Sequence, residues 1–125
     1  MRSKSFVSAA MLACTCLSAQ AQTPAGFVGN WTATWQGERR PFEAKVVLTS
    51  SGGTWKTAAA NRNDPCVGIE APVAVMPNGD DDAGLRLKFS EALAGCQDVT
   101  MSLHKVDDKT LSGTRGKMPV TLTRN

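Results

Sequence analysis

The chain has 125 residues, with 14 basic and 11 acidic side chains, one histidine and four cysteines. That length suits one domain built on a single core, and the even charge, with no basic run longer than Arg39-Arg40, excludes the electrostatic footprint that nucleic acid or anionic lipid requires. No apolar stretch of about 18 residues follows the N-terminal segment, so an integral membrane protein is not expected.

Arg2 and Lys4, the apolar run from Phe6 to Leu17 and the small-x-small triplet Ala19-Gln20-Ala21 read as an export signal. Residues 1–21 are therefore expected to be removed, and residues 22–125 to form one domain in the periplasm or outside the cell. Met11-Leu12-Ala13 before Cys14 offers a weaker, lipobox-like alternative. Cleavage after Ala21 removes Arg2 and Lys4, so the 14 basic groups fall to 12 against 11 acidic ones, a net charge of +1. It also removes Cys14 and Cys16, leaving Cys66 and Cys96 in a compartment where disulfides persist.

From residue 29 on, apolar residues recur at period two in short runs punctuated by Gly, Pro, Asn and Asp, the pattern of half-buried antiparallel strands. Trp31, Ala33 and Trp35 share one face of a first strand. A turn around Gly37 leads to a second with Phe42, Ala44, Val46 and Leu48 inward, and Ser50 to Gly53 reverses the chain into a third with Trp55, Thr57 and Ala59. After the loop from Asn61 to Pro65, the residues Ile69, Ala71, Val73 and Val75 alternate in a fourth strand. Pro72 must sit there at an edge, a bulge or the strand start, because it cannot donate to a ladder. Asn78-Gly79 marks the next hairpin, followed by a fifth strand with Leu85, Leu87 and Phe89 inward. Ser90 to Gly95 reads as one helical turn with Ser90 as N-cap. It delivers Cys96 to a sixth strand whose inward set is Val99, Met101 and Leu103. Asp107 to Lys109 turns the chain into Leu111 to Arg115, and Gly116 to Pro119 turns it into Val120 to Arg124.

Eight short strands joined by tight turns predict an all-β fold, an eight-stranded antiparallel up-and-down barrel, since closure removes the two edges such a meander leaves. A two-sheet sandwich is the alternative. Cys66 and Cys96 are expected to be bonded, closing a loop of about 30 residues and stabilising the fold by about 3.5 kcal/mol in the chain-entropy model.

At the two ends of the domain, Gly29-Asn30-Trp31 and the arginine of Thr121-Leu122-Thr123-Arg124 resemble the calycin pattern of lipocalins and avidin-like proteins. The run Thr110 to Thr114 with Met118 to Arg124 is similar to the ending of small exported bacterial proteins of lipocalin-like shape. The resemblance implies that Trp31 packs at the closed end of the barrel with the Arg124 guanidinium laid across it, a cation–π contact. It also implies binding of a small, partly apolar ligand in the barrel mouth. A second expectation, a protein-binding module such as an inhibitor of a secreted enzyme, would use Arg39-Arg40-Pro41 or the loop from Asn61 to Pro65.

The inventory for catalysis is thin, and no enzyme, metal or cofactor is expected. His104 falls on the outward face with Ser102 and Thr100, and no Gly-x-Ser-x-Gly elbow is present to place a nucleophile. Asn78 to Asp82 supplies oxygen ligands without the spacing of a calcium loop and reads as a solvated hairpin tip. Candidate carboxylates such as Glu43, Glu70 and Asp98 come from separate strands. Trp35, Phe42, Trp55, Phe89 and Met101 either line or fill the interior, and in a barrel of eight strands filling is expected. Any binding surface is expected at the end opposite Trp31, with Trp35, Arg39 and Arg40 as anchors, because aromatic and arginine side chains dominate binding sites.

Overall fold

In the computed structural model, residues 22–58 and 64–125 are described. The predicted export signal with Cys14 and Cys16, Ala59 of the third predicted strand, and Asn61 to Asn63 of the predicted Asn61–Pro65 loop lie outside them. The alternation becomes eight strands: β1 (Gly29–Gln36), β2 (Pro41–Thr49), β3 (Gly52–Thr57), β4 (Glu70–Pro77), β5 (Asp82–Leu87), β6 (Val99–Asp107), β7 (Thr110–Arg115) and β8 (Met118–Arg124). Each pairs antiparallel with the next, and β8 returns to β1, so the sheet closes in the order β1 to β8 as an up-and-down barrel. Closure runs from Trp31↔Arg124 to Trp35↔Val120. The sandwich is thereby excluded.

The inward residues are those of the period-two pattern, including Trp31, Ala33, Trp35, Ala44, Val46, Leu48, Trp55, Val73, Leu85, Leu87, Met101, Leu103, Leu111 and Leu122. Trp31, Trp55, Phe27, Leu48, Leu85 and Met101 are fully buried. Side chains therefore fill the body of the barrel, as its narrow bore requires.

Pro72 occupies the third position of β4, where the ladder to β5 ends at Val73↔Leu87. Its carbonyl accepts from Lys88 N at 2.9 Å, and the reciprocal bond that proline lacks falls just outside the ladder. The predicted helical turn is α1 (Phe89–Ala92), but Ser90 is inside it and Lys88 stands at the cap position. The cap comes instead from Asp98, whose Oδ1 accepts from Ser90 N at 3.0 Å and Ser90 Oγ at 2.7 Å. Cys66 and Cys96 are bonded to each other, tying the segment before β4 to the approach to β6.

The barrel's two ends differ. At the end where β1 begins and β8 finishes, a 3-10 turn (Ala25–Phe27) plugs the opening with Phe27, and Trp31 Nε1 donates to Phe27 O at 2.9 Å. Arg124 lies over the Trp31 ring, its Cζ 4.2 Å from the centroid. Gly29 is required here: a Cβ on it would run into Arg124 Nη1, and its φ of 142° lies where side chains are rarely tolerated. The other end is bounded by the β1–β2 turn, the segment leading to β4, α1 and the β7–β8 turn.

Candidate functional site

The open end is assembled by residues that alternation carries there. Trp35 lies about 13 Å along β1 from Trp31 at the usual strand rise, on the same face. Phe42 is its direct cross-strand partner on β2. Trp55 comes from the inward face of β3, and Arg115 ends the inward series Leu111, Gly113, Arg115 of β7. The side chains form a layered stack. Trp35 and Phe42 have centroids 5.7 Å apart and planes 16° from parallel, and Trp35 lies 5.5 Å from Trp55 at 38°. The Arg115 Cζ is 4.8 Å from the Trp35 centroid and 5.7 Å from that of Trp55. Arg40 covers the far side of the stack, 5.8 Å from Phe42.

Arg115 is the unusual group. Its Nε is shut away from solvent without a hydrogen-bond partner, and among the described residues no carboxylate pairs with it. Burial pushes its pKa below the ordinary arginine value, yet a guanidinium remains charged. The two indole faces supply part of the stabilisation that lost water would have given. Arg124 at the opposite end has the same stacking and a full set of acceptors: Asp108 O at 2.9 Å, Val28 O at 2.8 Å and Gly26 O at 3.1 Å.

Beside Arg115 is an open pocket of about 380 Å³, lined by Thr57, Phe89, Val99, Gln97 and the Asp64–Val67 segment. The disulfide holds that segment as one wall. Thr57 is buried, and its Oγ1 accepts from Trp55 Nε1 at 3.1 Å, which leaves its hydroxyl hydrogen free to donate. Asp64 is turned to its own backbone, accepting from Cys66 N at 2.9 Å.

Of the three anchors expected from sequence, Trp35 is buried in the stack and Arg40 rests on its outer face. Arg39 sits on the turn tip beside a separate surface groove with Glu38, Arg40 and Phe42. The structure therefore joins Trp35 and Arg40 through Phe42 and sets Arg39 beside Arg40 in that groove, and none of the three lines the Arg115 pocket. Arg115 itself was missed. The alternation Leu111, Gly113, Arg115 points it inward, but a charged residue at a strand's end is ordinarily outward, and the glycine between carries no apolar mark of the inward face.

On the outer face, Asp82, His104 and Ser112 form one cross-strand row over β5, β6 and β7. His104 Nδ1 lies 2.8 Å from Asp82 Oδ1, both side chains more than half exposed. The row has the composition of a catalytic triad without its chemistry. Ser112 makes no hydrogen bond to His104 among the described residues, and the strand amides nearby are committed to the barrel ladders, leaving no donor pair for an oxyanion. Among the described residues no three metal-ligating side chains converge. Glu43 and Glu70 are exposed on β2 and β4, and Asp98 is taken up by Ser90 and by Arg86 at 3.3 Å. The chain matches no family model, no curated protein and no solved structure in the comparisons made.

Proposed function

We propose that this chain is an exported, calycin-like binding protein that holds a small, partly apolar molecule at the open mouth of its barrel and catalyses no reaction on it. The observation that carries the reading is the Arg115 guanidinium, stacked on Trp35 and Trp55 beside a pocket, with its buried Nε unpartnered among the described residues. A packed barrel body directs binding to the mouth rather than to a deep calyx. The calycin-like assignment is supported by the closed eight-stranded order together with Gly29, Trp31 and Arg124 at the plugged end. Export is supported by the N-terminal pattern, and a disulfide is compatible with an oxidising compartment. The absence of enzymatic function is inferred from the outer Asp82–His104–Ser112 row, which lacks an activated nucleophile.

Native mass spectrometry of the protein purified from its own host tests this reading. The expected spectrum shows a small retained mass that Arg115→Gln removes. A protein-sized adduct that survives Arg115→Gln would overturn it in favour of a partner-binding module.

A further inference from the structure

We infer that the mouth is a carboxylate site: the ligand is a small organic acid whose anion meets Arg115 and Thr57 while its apolar part lies against Phe89 and Val99. The inference rests on the proposed mouth binding and adds the ligand's chemical class.

The argument is one of donors without acceptors. Arg115 has only N–H groups to offer, and among the described residues none is matched by a carboxylate. Thr57 Oγ1 accepts from Trp55 Nε1 and keeps its hydroxyl hydrogen to donate. Gln97 borders the same pocket with an amide that can donate. A neutral apolar occupant would leave the Arg115 and Thr57 donors buried and unsatisfied, which costs more than the burial of its own surface returns where a charge is involved. A carboxylate satisfies them, and guanidinium–carboxylate pairing is the strongest of the available contacts. Phe89, Val99, Val67 and the disulfide supply the apolar part of the lining. A volume of about 380 Å³ admits a molecule of small-acid size. Asp64 is the one acidic group on the rim, and its Oδ1 already accepts from Cys66 N.

The test uses the mature protein and matched neutral and charged probes: phenylacetate against phenylacetamide, and octanoate against octanamide. Binding is followed by amide and indole NMR shifts. The expected result is that each acid binds about tenfold or more tighter than its amide, the size of a hydrogen bond to a charged group. Shifts should fall on the Trp35 and Trp55 indoles and spare Trp31. Arg115→Gln should bring each acid–amide pair to parity while leaving amide binding in place, and Asp64→Asn should tighten the acids alone. Equal binding of acid and amide at the mouth overturns the carboxylate assignment while the mouth reading stands. Shifts elsewhere, or no binding by any probe, overturn both. If Arg115→Gln does not fold, the acid–amide ratio of the unmutated protein decides. Blocked dipeptides with free and amidated C-termini, run alongside, separate a small acid from a chain end: tighter binding of the peptide acid than of either small acid overturns the small-molecule assignment.

Discussion

Arg124 and Arg115 each lay a guanidinium on an indole at opposite ends of the barrel, 4.2 Å from Trp31 and 4.8 Å from Trp35, and among the described residues only Arg124 is hydrogen-bonded. Three main-chain carbonyls from two segments converge on Arg124, Gly26 and Val28 at the 3-10 turn and Asp108 at the β6–β7 turn, so it knits both to β8 as one plug. Arg115 joins nothing comparable, and its half-buried charge opposes folding as much as its packing favours it.

Methionine at the two positions should therefore act in opposite directions. Arg124→Met keeps most of the stem but strands the carbonyls of Gly26, Val28 and Asp108, and should cost about 2–4 kcal/mol. Arg115→Met removes a desolvated charge and should be neutral or stabilising by about 1 kcal/mol. Urea unfolding of both variants checks this, and an equal loss at the two positions would mark Arg115 as structural.

Gly29→Ala should destabilise by about 2 kcal/mol or more, because the added methyl meets the Arg124 guanidinium and the backbone conformation disfavours any side chain. The two causes separate in a double-mutant cycle. In an Arg124→Ala background the steric part disappears and the conformational part stays, so the cost of Gly29→Ala should fall without vanishing. Full additivity would mean that the guanidinium does not touch this position.

The strand pattern was legible because burial in a narrow barrel imposes period two on every inward face, and Trp31 to Trp35 or Phe42 to Leu48 carry that period without interruption. The layout of the open end was legible only in outline. Trp35 and Arg40 are visible as an aromatic and a cation near one turn. That Arg40, Phe42, Trp35 and Arg115 form one stack depends on the stagger between β1, β2, β3 and β7, which no local pattern encodes. The cap of α1 was misread for the same reason. Ser90 has the right chemistry beside a helical turn, but the acceptor that satisfies it is Asp98, eight residues away and delivered by the chain's return toward β6.

Asp98 gives that cap a pH signature. The Ser90 hydroxyl, then the Ser90 N–H, then Arg86 favour its carboxylate and hold its pKa below the ordinary aspartate range. A carboxyl group with a lowered folded-state pKa contributes stability above its unfolded value of about 3.9, and that contribution is lost as pH falls through the folded value. An NMR titration of the Asp98 carboxyl should accordingly place its midpoint below that of a model aspartate. Ser90→Ala should move it upward, since the largest cause is gone; an unchanged midpoint would assign the shift to the residue-90 N–H and Arg86.

The disulfide offers the most direct link between stability and the mouth. Cys96 is buried in the core while Cys66 packs at its edge, and the 30-residue separation corresponds to about 3.5 kcal/mol in the chain-entropy model. Thiol titration of a denatured, unreduced protein spanning residues 22–125 should find no free cysteine. Replacing both cysteines with serine should lower stability by roughly that amount. It should also weaken small-acid binding more than Arg124→Met does, because Asp64 to Val67 form a wall of the pocket and lose their tether to Cys96, whereas Arg124 acts at the far end. Binding that survives the double serine variant unchanged would show that this wall holds its place without the bond and that the ligand contacts lie on the Arg115 and Phe89 side alone.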